Sequence, residues 1–519
     1  MTTTQHNHAL PCFCLAALLG AVGCYDGGNN IRPMQDDGSG SSDGGSDDGG
    51  ATTEPQGTGD TTGDGNVDPP APGNAMIRVI HGSPGAPAVD VYVAGTDSPV
   101  IAGLAYSETS DWLEVPAGTY AFEIRAADAA PTDAPVYSTG NLELAEGAMI
   151  SALAAGVLPQ GDDDVSSGSA FRVIPIAQAF DEAGTGEARV RVIHAGADAP
   201  AVGIDVGNDG VTELEDLERF DDSGAAGVSL PAGTELAVGI VAEDITVTSF
   251  QLPELGDGSH VLVIATGLLG RLPREPEGFG LLAVDDGGTI GFIKQNPTIY
   301  ALHAGPDAPE VDLCVGDTTL AAHLSFGQMA AAQVPPGSYD LDAYAAPSGC
   351  AGTPAMSDAV DGLVAGERYL VIATGELTPI MGEPPLQLQV YSDRFDVDQP
   401  AMSALELIHA ASAPEVDVGI VTGEVIENGN LVAAGLAWPE TSNELMVQPL
   451  TYQIGFAGAG ATAPIHPVVD FHVPAAPGER GFVIAAGDLA PEAFEAAFRL
   501  LVVDTATNPW SLSSVAPNP

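Results

Sequence analysis

A histidine and an acidic residue recur together in this sequence, and they are the pair whose types and spacing best suit chemistry. The pair occupies four positions, namely His81 with Asp90, His194 with Gly203 in place of the acid, His303 with Asp312, and His409 with Asp417. An imidazole and a carboxylate on neighbouring strands can support catalysis when a nucleophile or a metal lies beside them. Because one copy lacks the acid and no serine or cysteine keeps a fixed place, we predict no catalytic residues. We expect each ring to satisfy backbone groups at a strand–loop–strand corner.

Two further segments contain residue types that bind metals, but in the wrong number or spacing. In an extended segment, His466 and His472 lie roughly 20 Å apart at about 3.3 Å per residue, so they cannot share an ion. Asp470 and His472 are closer but have no third ligand. The segment 205–216 is similar to a calcium loop, yet its third position is Gly207 and its twelfth is Asp216 instead of glutamate. We therefore predict no metal site and interpret the second segment as a turn.

The remaining patterns argue against a cofactor. The sequence has no phosphate-binding loop, no H-E-x-x-H helix and no dinucleotide-binding glycine pattern. Gly40–Gly44 matches G-x-S-x-G, but it lies in a low-complexity stretch and not at a strand-to-helix turn. Tyr106, Phe326 and Trp438 recur two residues after a leucine. Aromatic platforms can bind sugars, but we expect these three side chains to be core residues.

The histidine motif opens one unit that is repeated four times. Its histidines are separated by 113, 109 and 106 residues, and 110 residues follow the last. A turn recurs as Pro-Ala-Gly-Thr in the first two units, as Pro-Pro-Gly-Ser in the third and more loosely as Gln-Pro-Leu-Thr in the fourth. A later strand ending in glycine follows it in every unit. Alternating runs between turns predict about seven strands per unit and a short helix over 212–222 in the second. The fold class is therefore all-β, with four tandem immunoglobulin-like β-sandwich domains.

The repeat spacing also predicts the domain boundaries. The sequence divides into a signal peptide (1–23), a disordered acidic tether rich in Gly, Ser and Asp (24–73), and four β-sandwich repeats at 74–184, 185–295, 296–401 and 402–519.

The opening motif resembles the bacterial and archaeal family called domain of unknown function 4397, whose hallmark is R-V-x-H-A followed by A-P-x-V-D-V. The resemblance covers the chain from about residue 75 onward, four times over. It implies secreted or surface-attached β-sandwich modules in tandem and no known reaction. The second copy departs from the hallmark at Gly203, and the fourth is one residue shorter between His409 and Pro414.

The N-terminus predicts export and a lipid anchor. Residues 10–23 form an apolar run with the length of a signal-peptide core, and small residues precede Cys24 as in a bacterial lipobox. Ala21 replaces the usual leucine and the first nine residues carry no Lys or Arg. The alternative is cleavage by ordinary signal peptidase. In an oxidising compartment, the two cysteines that remain, Cys314 and Cys350, are expected to form a disulfide.

The charge balance limits the partners. The chain has 71 acidic and 14 basic residues and a net charge of −57. This surface repels nucleic-acid phosphates and anionic headgroups, so a membrane is expected to be a partner only through the N-terminal lipid. The acidity can serve solubility, a saline habitat, or weak attraction of divalent cations.

These observations predict a non-enzymatic lipoprotein of the cell envelope, at the outer membrane or cell surface, acting as a binding or spacer protein. One alternative is an adhesin for an extracellular glycan or protein ligand, with its site on loops at the module ends. Another is a hydrolase with its site in one module.

Overall fold

Alternating apolar and polar residues between glycine- and proline-containing turns produce strands throughout the described chain. The computed structural model describes residues 69–127, 129–130, 132–158, 168–395, 402–423, 425–461, 463, 468–473, 479–489, 491 and 495–518. The predicted signal peptide, Cys24, nearly all of the predicted tether, and His466 lie outside the described residues. Those described residues contain no α-helix, and the all-β prediction is confirmed.

The strands form four successive groups, which we call modules 1 to 4. Module 1 contains β1 (Asn74–His81), β2 (Val89–Val93), β3 (Ile101–Leu104), β4 (Leu113–Pro116), β5 (Gly118–Tyr120), β6 (Phe122–Ala126), β7 (Tyr137–Ser138), β8 (Leu142–Leu144), β9 (Met149–Ala155) and β10 (Arg172–Ala177). Module 2 contains β11 (Glu187–His194), β12 (Val202–Val206), β13 (Leu214–Leu217), β14 (Val228–Pro231), β15 (Leu236–Ala242), β16 (Ile245–Leu252), β17 (His260–Thr266), β18 (Gly280–Asp285) and β19 (Gly288–Lys294).

The second half of the chain follows the same order. Module 3 contains β20 (Thr298–His303), β21 (Val311–Val315), β22 (Thr318–Leu324), β23 (Met329–Gln333), β24 (Gly337–Ala345), β25 (Met356–Leu363), β26 (Arg368–Thr374) and β27 (Gln387–Ser392). Module 4 contains β28 (Ser403–Ser412), β29 (Val416–Thr422), β30 (Val425–Leu436), β31 (Leu445–Val447), β32 (Thr451–Gly458), β33 (Val469–His472), β34 (Arg480–Asp488), β35 (Arg499–Asp504) and β36 (Ser511–Val515).

Each module contains two main sheets with a repeated strand order. One sheet contains the opening strand that ends near the motif histidine, and we call it the His sheet. The four His sheets have the orders β10-β9-β1-β4, β14-β11-β17-β18-β19, β23-β20-β26-β27 and β31-β28-β34-β35-β36. The Asp sheet contains the next strand, which carries the motif aspartate where there is one. The four Asp sheets have the orders β3-β2-β6-β7, β13-β12-β15-β16, β22-β21-β24-β25 and β30-β29-β32-β33.

The opening strand lies inside each His sheet because it pairs on both edges. It runs parallel to the later strand of the same module, as β1 does with β9, and antiparallel to a short edge strand, as β1 does with β4. The same parallel pairing recurs between β11 and β17, β20 and β26, and β28 and β34. A parallel pair needs a long crossover, which here is the entire Asp sheet.

The His sheet and the Asp sheet of a module pack face to face around an apolar core. In module 2 this core includes Val190 and Val192 of β11 facing Ile240 and Phe250 of the Asp sheet. Corresponding clusters fill modules 1, 3 and 4. Two inner faces that meet in this way define a β-sandwich.

The other face of each His sheet is also buried, because it packs against a neighbouring module. Ile80 and Leu153 of module 1 form one cluster with Ile193 and Ile264 of module 2. A second cluster joins modules 3 and 4 through a set of buried residues that includes Leu302, Ile372, Ile484 and Trp510. These sheets belong to one compact unit, Gly63–Pro519. The opening strands are thus covered on both faces, which explains their nearly continuous apolar runs.

A glycine at or near the end of each later His-sheet strand allows the chain to turn back closely. Gly156, Gly267, Gly375 and Gly487 have φ values of 80°, 92°, 94° and 92°. A Cβ atom at any of them would lie only 2.4–2.6 Å from a carbonyl oxygen of the returning segment. Only glycine fits both requirements, which explains why it recurs at this position.

Two details of the secondary structure differ from expectation. The modules contain eight to ten strands and not about seven. The predicted helix over 212–222 is wrong, because β13 occupies this region and Leu217 pairs with Val202. The three-residue spacing of Leu214, Leu217 and Phe220 imitates a helix, but Asp216 and Phe220 have φ values of 52° and 70°, which a right-handed helix excludes. Among the described residues, no helix has the length and apolar character needed to cross a membrane.

Candidate functional site

Each motif histidine lies at the end of its module's opening strand and contacts the backbone of the following loop. The Nε2 atoms of His81, His194, His303 and His409 lie 3.2, 2.7, 3.0 and 3.1 Å from proline carbonyl oxygens five or six residues later. A carbonyl oxygen only accepts, so Nε2 carries the proton and donates it. The ring thereby satisfies the carbonyl of a proline, a residue that offers no backbone donor of its own.

The histidine rings are buried and neutral. All four are at most 2% exposed, and this burial lowers the pKa of each ring below the ordinary value of 6.5. In modules 1 and 2, Nδ1 accepts long hydrogen bonds from the backbone N–H groups of Ser83 and Gly196, at 3.4 and 3.3 Å. A buried ring whose donor is already committed to the backbone is poorly placed to move a substrate proton.

The motif aspartates hold a β-bulge and do not pair with the histidines. Asp312 accepts the backbone N–H of His323 at 2.8 Å, and Asp417 accepts that of Gly435 at 2.7 Å. Asp90 accepts the N–H of Gly103 at 2.7 Å. These three donors have positive φ, and the pairing between the two strands shifts register beside each of them. The carboxylate therefore stabilises the extra residue of a bulge through charge-assisted hydrogen bonds.

Two of the aspartates also fix a second loop. The other carboxylate oxygen of Asp312 accepts the N–H of Gly349 at 2.7 Å, and that of Asp417 accepts the N–H of Gly460 at 2.8 Å. Both oxygens of each carboxylate are thus used by backbone donors. Each carboxylate is therefore held by two backbone segments of its own module.

Module 2 keeps the bulge without the acid. Gly203 occupies the aspartate position, and the register of β12 and β13 still shifts beside it, with Asp216 at φ 52°. A Cβ atom on Gly203 would lie 2.7 Å from the Cγ2 atom of Thr212. The local packing in this module therefore excludes a side chain where the others have a carboxylate.

The recurring aromatic side chains lie between modules. The Tyr106 ring of module 1 packs 5.8 Å from the Phe292 ring of module 2. Trp438 of module 4 donates its indole N–H to the Oγ1 atom of Thr374 in module 3, at 3.2 Å. The guanidinium of Arg499 in module 4 lies over the ring of Phe326 in module 3. Phe220 of module 2 lies in the segment that was predicted to be helical. The guanidinium carbon of Arg172 in module 1 lies 3.9 Å from the centroid of the Phe220 ring. These aromatic residues serve the contacts between modules.

The family comparison agrees with this repeated architecture. A family described as “Domain of unknown function (DUF4397)” matches residues 75–205 and 297–419. Two stretches that together make up just under half of the chain therefore match this family. Each matched stretch begins within one residue of the start of an opening strand, β1 or β20, and ends in the second strand of the next module, β12 or β29.

The other comparisons add no functional information. A search of curated proteins finds no match. The solved structure of the Bacillus anthracis TIE protein is 11% identical, covers 80% of this chain and 68% of that chain, and has a TM-score of 0.13. So low a score carries no argument about fold or function.

The two cysteines of the third DUF4397 module form the predicted disulfide. Cys314 of β21 and Cys350 are bonded, with their Cα atoms 5.8 Å apart and a sequence separation of 36. Gly349, which precedes Cys350, donates its N–H to Asp312. The disulfide and the carboxylate therefore fix the same loop on the Asp sheet.

Among the residues that the structure describes, no group of three ligating side chains lies together. Asp205 accepts the N–H groups of Asp209 and Gly210, so this segment is a turn. Asp470 and His472 are exposed on β33 and bond to neighbouring Gln453 and Thr451 side chains. Neither side chain belongs to a group of three ligating side chains among the described residues.

One buried carboxyl group was missed by the sequence analysis. Glu376 of module 3 is 4% exposed and accepts a short hydrogen bond from the hydroxyl of Ser412 in module 4. Burial, together with the neighbouring Asp307 and Glu383, raises the pKa of Glu376 from 4.5 to about 7, although the hydrogen bond from Ser412 opposes the increase. No motif histidine bonds to this pair in the described structure. Glutamate is common in this acidic chain, so only the module packing distinguishes Glu376.

Proposed function

We propose that this chain is a non-enzymatic lipoprotein of the cell envelope that holds its DUF4397 modules outside the membrane as a spacer or binding protein. The proposal rests mainly on the structural contacts that the repeated residues make. The motif histidines satisfy backbone carbonyls, the aspartates hold bulges, and the recurring aromatics pack between modules. The part that is repeated therefore builds and joins modules.

The compartment rests on three features. Residues 10–23 and Cys24 have the pattern of a lipoprotein signal. The Cys314–Cys350 disulfide suits an oxidising compartment. The net charge of −57 keeps the surface hydrated and leaves the lipid as the means of attachment to a membrane.

The adhesin alternative has less support. Aromatic residues exposed at a module end would favour a glycan site. Among the described residues, every phenylalanine, tyrosine and tryptophan is buried or half-buried. The hydrolase alternative would need a cleft that joins a histidine, a carboxylate and a hydroxyl, and the motif histidines of the described modules bond only to backbone groups.

The anchor can be tested on the mature protein. Mass spectrometry is expected to show a diacylglyceryl group on Cys24, and Cys24→Ser is expected to release the chain into the medium. Cys12→Ser and Cys14→Ser are matched controls, because both residues belong to the segment predicted to be removed. An unmodified N-terminus at another residue would contradict the anchor.

The spacer or binding role requires a different experiment. The released Cys24→Ser protein is screened against glycans, purified envelope proteins and a panel of ester, peptide and glycoside substrates. Saturable binding without turnover supports a binding protein, and absence of both supports a spacer. Turnover that survives further purification would overturn the non-enzymatic assignment.

A further inference from the structure

A polar cavity lies where modules 2, 3 and 4 meet. Its volume is ≈ 220 Å³. Its polar lining comprises Arg271 and Glu275 of module 2, Arg368 of module 3, and Arg480, Thr507 and Asn508 of module 4. Four smaller cavities of ≈ 20–50 Å³ are lined mainly by apolar side chains within modules 1, 3 and 4. A water molecule needs only about 10–15 Å³ of such space, so the polar cavity has room for a group of several heavy atoms.

Positive charge is concentrated at this junction. The chain has only 14 basic residues against 71 acidic ones. Three arginines line the cavity, and Arg274 lies close enough to influence Arg480 electrostatically. The carboxylates described near these guanidinium groups belong to Asp393, Glu275 and Glu277. Four guanidinium groups at one junction are a concentration of positive charge in a protein that has only 14 basic residues.

Two of the four arginines are committed to structural contacts. Arg368 donates to the carboxylate of Asp393 at 2.6 Å and to the carbonyl of Thr505 at 3.0 Å. Arg274 reaches from module 2 to the carbonyls of Asp393 and Phe395 at 2.6 and 2.7 Å. These bonds fix the relative positions of the walls of the cavity, because they join all three modules.

Arg480 is an arginine of the cavity lining whose guanidinium is incompletely paired among the described residues. Its Nε atom is buried and has no hydrogen-bond partner among the described residues. Burial lowers the pKa of Arg480, and the nearby Arg368 and Arg274 lower it further against the opposing effect of Asp393. Because Nε is buried, a ligand in the cavity meets the part of the Arg480 side chain that lines the cavity and not Nε.

The module 2 wall is held in place before any ligand arrives. Asp198 accepts the N–H groups of Leu269 and Gly270 at 2.9 and 3.2 Å. Gly267 begins this loop with φ 92°, and Leu268 and Gly278 form a bridge across it. The corresponding loop of module 3, residues 376–386, contains no arginine. The module 2 loop therefore carries arginines that the equivalent loop of module 3 lacks.

We infer that this cavity binds a small oxyanion, namely a phosphate or sulfate group. Arg480 and Arg271 supply the guanidinium donors, and Arg368 supplies positive charge from the cavity wall. Guanidinium forks match the oxygens of such groups and form charge-assisted hydrogen bonds with them. The group can be a free ion or an ester on a larger molecule such as a saccharide. The inference depends on the module packing and not on the proposed anchoring or spacer role.

The test uses the full chain and two probes. Inorganic phosphate and sulfate are titrated calorimetrically against chloride at constant ionic strength, and sulfated and phosphorylated oligosaccharides are tested with their unmodified parents. We expect saturable binding with one ion per chain. Arg480→Gln is expected to weaken it at least about tenfold, a typical loss for one charge-assisted contact. Binding of the free ions indicates an ion site, and binding of only the esters indicates that the anionic group is carried by a larger ligand.

The controls separate binding from folding. Arg271→Gln removes a half-exposed guanidinium whose nearest carboxylate lies 3.5 Å away, so it is expected to weaken binding without unfolding the chain. Arg499→Gln is the matched control, because Arg499 also has a buried unpaired Nε but does not line the cavity. Absence of saturable binding by every probe, or equal binding by the folded Arg271→Gln, Arg480→Gln and Arg499→Gln proteins, would overturn the inference.

Discussion

Replacing Asp417 by alanine tests whether the motif aspartate is a structural residue. Its buried carboxylate accepts the N–H of Gly435 at 2.7 Å and that of Gly460 at 2.8 Å. Hydrogen bonds to a charged group contribute about 1.5–3 kcal/mol each. Because Gly435 and Gly460 are partly accessible to water, we take the lower value for each bond. The expected loss for Asp417→Ala is then about 3 kcal/mol.

Asp90 provides an internal comparison, because its carboxylate has one such bond. It accepts only the N–H of Gly103 among the described residues. Asp90→Ala should therefore cost about 1.5 kcal/mol, half the loss expected for Asp417→Ala. Asp470→Ala is the matched control in module 4, because that exposed carboxylate bonds only to a Gln453 side chain. An exposed substitution of this kind should change stability by less than about 0.5 kcal/mol.

Urea unfolding measures the global loss, and hydrogen exchange assigns it to a module. Several modules in one chain need not unfold in a single step, so the local measurement is required. Asp417→Ala is expected to accelerate exchange in the segments containing Gly435 and Gly460 and to leave module 1 unchanged. The reasoning fails if Asp417→Ala costs no more than Asp90→Ala, or if exchange at the two glycine segments is unaltered.

Three further predictions concern the module contacts and the disulfide. The pKa of Glu376 is raised from 4.5 to about 7, chiefly by burial, so the folded protein favours the protonated carboxyl group. The stability that Glu376 contributes is therefore fully present below pH 4.5 and is lost as the pH rises through 7. Glu376→Gln should therefore raise the melting temperature at pH 8 and have little effect at pH 4, and a gain that is equal at both would contradict this. Replacing Cys314 and Cys350 by serine opens a bridge spanning 36 residues, and should lower stability by about 3–4 kcal/mol in urea unfolding; a loss under 1 kcal/mol would be too small for this account. Trp510 is 4% exposed and stacks 4.0 Å from Tyr300 of module 3, so Trp510→Ala should cost about 3–5 kcal/mol and increase hydrogen exchange in β20. Unchanged exchange in β20 would show that the stacking does not couple the two modules.

The sequence predicts the strands well because their pattern is local. Repeated glycines, prolines and alternating residues mark turns and sandwich faces without reference to distant segments. The pairing of Cys314 with Cys350 also followed from sequence, since Cys12 and Cys14 lie in the predicted signal peptide and Cys24 is the predicted lipidation site. Both predictions concern features that lie within a single module.

The bulges and the module contacts could not be predicted in the same way. Leu217 and Phe220 have helical spacing, but the positive φ values of Asp216 and Phe220 arise where β13 meets β12 out of register. The apolar runs of the opening strands indicate that both faces are buried. They do not say what covers the second face. Likewise, nothing in the spacing of Arg271, Arg368 and Arg480 places them around one cavity.

The packing indicates that two modules, and not one, form the unit of stability. The His sheets of modules 1 and 2 bury Ile80 and Ile193 in one cluster, and those of modules 3 and 4 share another. Modules 2 and 3 are joined differently, since the backbone N–H of Ser249 donates to the Gln333 side chain at 2.8 Å. Separating a pair would expose an apolar sheet face, whereas separating modules 2 and 3 would expose hydrogen-bonding groups that water can satisfy. The two DUF4397 matches, 75–205 and 297–419, each begin with the first member of such a pair and extend into the second. One sequence repeat, with its single histidine motif, therefore does not bury both faces of its opening strand. Two neighbouring repeats are needed.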